Sequence, residues 1–325
     1  MKRLLALVPG GVGDQILFFP TLAALRQKYP QAEINVVVEP RSVGAYRVCP
    51  SISESDVIKF DFKDRNSLSD ISNLLGIIRD REYDAVLSLG RRLSVRFLLW
   101  LTGIHKRVSY DGQGNFLLTD VIPLQLNQYA ATMYHDLVRG FGINSPCPPV
   151  KIALAKSDLT WANNEQQRLQ IKDTGYILLH GGASQLSVKQ GMVKIYPPSS
   201  WVKVLQGIRA KLPNLPIVVV RGPEDGEVVQ NLVAQLPDLR VVSPPDIGKL
   251  AAMIAAANVF LCTDSAPMHL GVAVGVNLVA LFGPTDPGKL LPHEPSRIKF
   301  LQPPSQGQSI ATIAPEAILA KLWER

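Results

Sequence analysis

Residues 259–287 read VFLCTDSAPMHLGVAVGVNLVALFGPTDP. Val259–Cys262 is a short apolar run that breaks into the polar residues Thr263–Ser265, as a buried strand does where it leaves a sheet. Ser265 suits a helix N-cap and Pro267 a first-turn position, so a helix is predicted over Met268–Val274. A second apolar run, Leu278–Phe282, ends in Gly283-Pro284-Thr285-Asp286-Pro287. Strand, helix and strand in that order, with strands apolar throughout rather than alternating, describe a parallel unit covered on both faces. Ligands of such sheets lie beyond the carboxyl ends of the strands, which makes the two polar loops candidate binding segments.

The same alternation extends in both directions. Upstream lie strands at Tyr176–Leu179, Ile217–Val220 and Arg240–Val242, with helices at Trp201–Lys211, Glu227–Leu236 and Ile247–Ala256. At the other end, Arg3–Val8 is an apolar strand, Gly10–Gly13 a turn, and Asp14 opens a helix whose apolar residues Ile16, Leu17, Leu22 and Leu25 follow a 3.6 period. Ile34–Val38, Asp56–Phe60, Ala85–Leu89, Val108–Ser109 and Val121–Ile122 continue as strands, with helices at Leu68–Arg79, Leu93–Leu101 and near Tyr134–Gly140. The proline-rich stretch Asn144–Val150 separates the two series. The 325 residues therefore form two α/β domains, 1–155 and 156–325, each a doubly wound parallel sheet. The final helix, 315–325, is a candidate to pack back on the first domain.

Composition narrows the class. With 46% hydrophobic and 19% charged residues the chain has material for packed cores and is no disordered polymer. Cys49, Cys147 and Cys262 lie far apart without metal-ligand spacing, which argues against a disulfide framework or structural zinc and suits a reducing cytoplasm. The opening MKRLLALVPGGVGD has the charge and short apolar run of a signal peptide, but Pro9-Gly10-Gly11 cuts it too early, and it reads as a strand. No apolar stretch reaches the ~18 residues needed to span a bilayer. The net charge of +7 permits anionic partners. It is not gathered into a polycationic tail of the kind that holds nucleic acid. One basic cluster stands out: GRRLSVRFLLWLTGIHKRVSY, Gly90–Tyr110, holds Arg91, Arg92, Arg96, Lys106 and Arg107 and no carboxylate.

Four loops carry chemistry. In the first turn, Pro9-Gly10-Gly11-Val12-Gly13-Asp14, the glycines Gly10, Gly11 and Gly13 let backbone approach a ligand at a helix N-terminus. Ile16 occupies the position where a dinucleotide fingerprint needs its third glycine, and no phosphate-binding P-loop occurs. Asp14 is either a helix cap or a general base able to take a proton from an attacking hydroxyl. In the second loop, around Asp264 and Ser265, the N–H groups of Met268 and His269 are expected to point out of the helix end and meet an anion, with Thr285 adding a hydroxyl from the next loop. In the third, His180-Gly181-Gly182-Ala183-Ser184 precedes Lys189 and Lys194, either of which suits a leaving phosphate. In the fourth, Arg221-Gly222-Pro223-Glu224-Asp225-Gly226-Glu227 offers carboxylates for a ribose, and a helix cap accounts for at least one of them.

PGGVGD in the first turn, the GAS loop with a lysine before an aromatic-proline pair, GPEDGE, and DSAPMHLGVAVGVNLVALFGPTDP together resemble glycosyltransferase family 9, the ADP-heptose:lipopolysaccharide heptosyltransferases. The resemblance spans nearly the whole chain. It implies the GT-B architecture, two Rossmann-like domains facing a central cleft, and an inverting, metal-independent and cofactor-free sugar transfer. The nucleotide-sugar donor, ADP-linked, would be held by the second domain and a saccharide or glycolipid acceptor by the first. By that resemblance Asp14 is the base, Lys194 and His269 contact the pyrophosphate, and Glu224 or Glu227 contacts the ribose; Ser184, Asp264, Ser265, Met268 and Thr285 complete the donor set. Two departures stand out: Ala266 replaces the family's usual glycine, and Lys194 is followed by Ile195-Tyr196-Pro197 instead of tryptophan-proline. Both bear on the identity of the sugar.

Breaking an anomeric carbon–phosphate bond builds positive charge on the sugar and negative charge on the departing nucleotide, and a lysine with helix N-termini would stabilise the latter. Arg91, Arg92 and Arg96 are the candidate acceptor contacts. Either they are the solvated face of an amphipathic helix, or, in a transferase acting on a lipid-linked saccharide, they meet acceptor phosphates or an anionic membrane surface, placing the protein in the cytoplasm at the inner face of the membrane. The alternatives are a nucleotide-sugar epimerase of the same fold, which needs no base for an incoming acceptor, and a non-catalytic nucleotide-sugar-binding protein.

Overall fold

A computed structural model of the chain describes residues 1–62, 64, 67–182, 194–305 and 308–324. It divides into two compact units, Met1–Ala153 and Leu154–Arg325.

In the first unit, β1 (Arg3–Leu7), β2 (Glu33–Val38), β3 (Val57–Lys59), β4 (Ala85–Ser88), β5 (Lys106–Tyr110) and β6 (Asp120–Ile122) form one parallel sheet in the order β3-β2-β1-β4-β5-β6. The helices between them are α1 (Val12–Lys28), α2 (Leu68–Asp80), α3 (Leu93–Leu101) and α4 (Ala130–His135). The central strands are buried on both faces, which is why β1 and β4 are apolar without alternation. Leu5, Leu7, Val37, Val86 and Ile78 pack into one core cluster on one side of this sheet.

The second unit repeats the plan. After α5 (Lys156–Arg168), strands β7 (Ile177–His180), β8 (Ile217–Val220), β9 (Arg240–Val242), β10 (Val259–Thr263), β11 (Leu278–Leu281) and β12 (Ile298–Leu301) pair in parallel in the order β12-β11-β10-β7-β8-β9. Its further helices are α6 (Pro198–Lys211), α7 (Gly226–Gln235), α8 (Ile247–Ala255), α9 (Ala266–Val274), α10 (Pro287–Leu290) and α11 (Pro315–Trp323). Counted within its own unit, each sheet has the doubly wound order 3-2-1-4-5-6. The strand order therefore reverses between β1 and β4 in one unit and between β7 and β10 in the other, and those crevices are where such sheets bind ligands.

Several elements differ from the sequence-based expectation. α1 begins two residues earlier than predicted, at Val12 with Gly11 as N-cap; α9 begins at Ala266, with Ser265 as its N-cap residue and Pro267 in its first turn as expected, two residues before the predicted Met268. The helix expected near Tyr134–Gly140 is α4 followed by a 3-10 segment, Asp136–Phe141. β12 went unpredicted: it is an edge strand with one wholly buried position and an exposed Phe300, so its apolar pattern is too short to read. The final helix packs on α6 and β12 within its unit, with Ile318 buried and Leu319, Leu322 and Trp323 against the core.

Candidate functional site

The turn after β1 builds the first crevice. Gly10 has φ +126, a left-handed value that favours glycine, and a Cβ there would lie 2.4 Å from Asp14 Oδ2. The turn is fixed from beneath: Gln15 donates to the carbonyl of Val8 at 3.0 Å, Tyr46 donates to Gln15 Oε1 at 2.8 Å, and Ser42 donates to the carbonyl of Gly10 at 2.7 Å. Asp14 is not the N-cap. It stands at the third position of α1, where its Oδ2 accepts the N–H of Gly11 at 2.8 Å, so the carboxylate caps the helix while remaining half-buried. Its other oxygen, Oδ1, accepts the phenol of Tyr134 at 3.0 Å. Burial, and then the charge of Asp14, push the Tyr134 hydroxyl well above its ordinary range, so it stays a donor at any physiological pH.

Tyr134 also lines a cavity of about 200 Å³ with Pro9, Leu89, Arg91, Tyr110, Leu124 and Met133. The cavity combines an apolar wall, one guanidinium and the hydrogen-bond partner of Asp14. Of the three arginines expected at the acceptor, Arg91 lines this cavity and Arg92 is exposed at the start of α3. Arg96 is a correction. It is fully buried, and its guanidinium donates to the carbonyls of Tyr110 (2.8 Å) and Gln113 (2.5 Å) and to Asn115 Oδ1 (2.7 Å), so it ties a loop to α3 and does not present itself at the surface. Lys106 pairs with Asp120 at 3.1 Å, and Arg107 donates to the carbonyls of Leu117 and Ile104.

In the second unit the carboxyl ends of β7, β8, β10 and β11 bring together the loops singled out in the sequence. Thr263 donates to the carbonyl of Gly182 at 2.7 Å, locking two loops side by side. Asp264 is buried, and its Oδ2 accepts both Lys194 Nζ at 2.6 Å and the hydroxyl of Thr285. The charge of Lys194 is thus balanced inside the protein, with its side chain 13% exposed. Ser265 is the N-cap residue of α9, but its hydroxyl does not cap; it donates to the carbonyl of Thr263 at 3.2 Å and lies 3.3 Å from His180 Nδ1. His180 Nε2 is 3.1 Å from Asp225 Oδ2, which also accepts the N–H of Gly222 at 2.8 Å. Ser265, His180 and Asp225 form a chain from the start of α9 to the loop after β8. Gly182 is required there, since a Cβ on it would fall 1.6 Å from Asp225 Oδ1.

Met268 is a second correction. Its side chain is fully buried and its N–H donates to the carbonyl of Ser265 at 3.0 Å, so neither faces a ligand; Pro267 has no N–H to give. The positive end of α9 is there, but with fewer backbone donors than its sequence suggests. His269 lies in the first turns of α9 and is 6% exposed. Glu224 and Glu227 are both exposed, either side of the buried Asp225. Ser184 and Lys189 lie outside the described residues. Tyr196 is structural: its ring packs edge-on to Trp201 at 5.0 Å and its hydroxyl donates to the carbonyl of Ile313.

Two features had no signal in the sequence. Tyr134 is 120 residues from the carboxylate it contacts, and no local pattern distinguishes it from the core tyrosines. Asp225 stood between two glutamates of equal chemical promise, and only burial separates it from them.

The model of glycosyltransferase family 9 (heptosyltransferase) matches residues 72–312. The chain belongs to that family. It is a glycosyltransferase with the GT-B architecture, two Rossmann-like domains. A glycosyl transferase of family 9 from Veillonella parvula is 24% identical, with a TM-score of 0.82 over 99% of this chain and 96% of that one. The Escherichia coli ADP-heptose lps heptosyltransferase II is 20% identical, with a TM-score of 0.76 over 99% and 97% of the two chains. Among sequence relatives is the Arabidopsis thaliana photosynthetic NDH subunit of subcomplex B 1, chloroplastic, 21% identical over 89% of this chain; the match spans 66% of that protein's length, just under two thirds.

Proposed function

We propose that this glycosyltransferase moves a heptose-like sugar from an ADP-linked donor to a hydroxyl of a lipopolysaccharide-type saccharide, with inversion at the anomeric carbon and without a metal ion. The observation that carries the reading is Asp14: its carboxylate is held from two directions, by the Gly11 N–H and the Tyr134 hydroxyl, beside a cavity at the point where the first sheet reverses its strand order. An ionised carboxylate fixed in that way is suited to receive the proton of an attacking hydroxyl. The name of the E. coli structural neighbour, an ADP-heptose lps heptosyltransferase, supports the donor and acceptor classes.

In this mechanism the acceptor oxygen bonds to the anomeric carbon as the bond from that carbon to the phosphate oxygen breaks, and the proton passes to Asp14. A single displacement from the face opposite the leaving group inverts the centre. The departing ADP gains the negative charge, which the remaining N–H groups of Lys194 and the positive end of α9 stabilise. Asp264 holds Lys194 and Thr285 in one place before the diphosphate arrives. We assign the acceptor to the unit Met1–Ala153 and the donor to Leu154–Arg325, with action at the cytoplasmic face of a membrane that carries the acceptor.

The test has two stages. ADP, UDP, GDP and their sugars are compared by thermal shift; saturation at 100 times the dissociation constant adds ~2.7 kcal/mol, and the largest shift is expected for the adenine series. ADP release is then followed with and without a delipidated core saccharide. Acceptor-dependent release is expected, falling by ~10²–10⁴ in Asp14→Asn. Turnover of the variant within a few-fold of the parent would remove Asp14 as the base, and a larger shift with UDP or GDP would remove the ADP donor.

A further inference from the structure

Helix α3 is apolar on the side that faces solvent as well as on the side that faces the core. Leu99 and Arg96 are buried beneath it, and Leu98 packs against the core cluster. Leu93, Phe97 and Trp100 stand four and three residues apart, which places them on one helix face. They are 49%, 50% and 49% exposed. The rings of Phe97 and Trp100 stack at 5.8 Å with their planes 24° apart, forming a continuous aromatic surface. The turn Asn115–Leu117 packs against the same helix through Arg96 and adds Phe116, 85% exposed. Water is a poor medium for four large apolar side chains on neighbouring elements.

The charge beside this patch points to what covers it. Arg91 and Arg92 precede α3, both exposed, and from Gly90 to Tyr110 there is no carboxylate. Two copies of the chain meeting through this face would bring four guanidinium groups together, which opposes self-association. An anionic lipid surface offers the reverse: phosphates for the arginines, and an interfacial layer in which Trp and Phe rings are stable.

We propose that Leu93, Phe97, Trp100 and Phe116 form a lipid-docking surface, inserted at the boundary between headgroups and acyl chains of an anionic bilayer, with Arg91 and Arg92 on the lipid phosphates. Arg91 also lines the cavity that contains Tyr134, the partner of Asp14, so docking sets the mouth of that cavity at the level of a lipid-linked acceptor's head. The purpose rests on the proposed glycolipid acceptor, but vesicle binding is measured without donor or acceptor, so the two fail separately.

The full chain is floated with vesicles of phosphatidylcholine alone or with ~30% phosphatidylglycerol, at low and physiological salt. Binding is expected to the anionic vesicles, weakened but not abolished by salt, since burial of rings does not screen. The double variant Phe97→Ser, Trp100→Ser should bind at least tenfold more weakly while transferring to a delipidated acceptor at the parent rate. As a readout independent of folding, brominated lipid should quench part of the tryptophan fluorescence of the parent, and Trp100→Phe should lose that part. No association with anionic vesicles, association undiminished in the double variant, or a dimer in lipid-free solution that the double variant dissolves would each overturn the assignment.

Discussion

The hydroxyl of Tyr134 donates to Asp14 Oδ1 at 3.0 Å, joining α4 to the first turn of α1 across 120 residues of chain. A hydrogen bond to an ionised carboxylate is worth about 1.5–3 kcal/mol, more than one between neutral groups. In the proposed reaction its role is to aim the carboxylate, with Gly11 fixing the other oxygen. Tyr134→Phe keeps the ring in the cavity wall and removes only the donor. Acceptor-dependent kcat/KM is expected to fall about tenfold, as loss of roughly 1.4 kcal/mol implies, with donor affinity unchanged by calorimetry. An unchanged kcat/KM would show that Asp14 needs no support from this side.

The buried and the exposed arginines of the basic stretch should behave in opposite ways. Arg96→Met leaves the carbonyls of Tyr110 and Gln113 and the side chain of Asn115 without their donor inside the protein. A loss of stability of the order of 2–4 kcal/mol is expected, read by denaturant titration. Arg91→Ala removes an exposed side chain from the cavity rim, so stability should move by no more than ~0.5 kcal/mol while KM for a phosphorylated acceptor rises. If Arg96→Met raised KM at full stability, that arginine would be an acceptor contact after all.

The contrast shows what was legible in the chain and what was not. Apolar runs such as Val259–Cys262 and Leu278–Phe282 mark strands buried on both faces, so the doubly wound plan of both units could be read without coordinates. The glycines and polar residues that follow those runs placed Asp14, Lys194, Asp264 and Ser265 at strand ends, because the loop after a parallel strand needs residues of that kind. Direction is not written there. Arg91 and Arg96 are the same residue five positions apart, but Arg91 lies in the turn before α3 and lines a cavity, while Arg96 lies within α3 on its buried face. Met268 was misread for a related reason: a free N–H in a helix's first turn is a property of backbone geometry, and its bond to the carbonyl of Ser265 depends on how tightly that turn closes. Contacts between distant segments, such as Tyr134 with Asp14 or His180 with Asp225, leave no mark within either segment.

The His180–Asp225 pair makes an acid-stability prediction. Burial alone pushes the Asp225 carboxyl up, but the hydrogen bond and charge of His180, with the N–H of Gly222, outweigh it and hold the group below the usual carboxylate range. A folded-state value lower than the unfolded one gives stability that is fully present above the unfolded value, about pH 4, and is lost as the pH falls through the folded value. Asp225→Asn cannot titrate. The stability difference between parent and variant should therefore shrink as the pH falls below about 4, measured by urea denaturation at stepped pH. A difference that grows in acid would mean that the carboxyl is protonated more readily in the folded protein.

The three cysteines are free thiols, and their reactivity follows burial. Burial pushes Cys49 up to about 11, against the opposing backbone N–H groups of Ser51 and Ile52. Cys147 is likewise pushed up to about 11 by burial, partly offset by a hydrogen bond with Thr132. Burial also raises the fully buried Cys262, with the charge of Asp264 adding to it. At pH 8 a thiol at about 11 is thiolate in only about one part in a thousand, whereas an ordinary exposed cysteine near ~8.5 is about a quarter ionised. Alkylation of Cys49 and Cys147 by iodoacetamide should therefore be slow at pH 8 and rise about tenfold per pH unit to pH 10 without a plateau, followed site by site by mass spectrometry. A plateau at either position by pH 9 would show a thiol with ordinary access to water and a surrounding segment that opens in the folded protein.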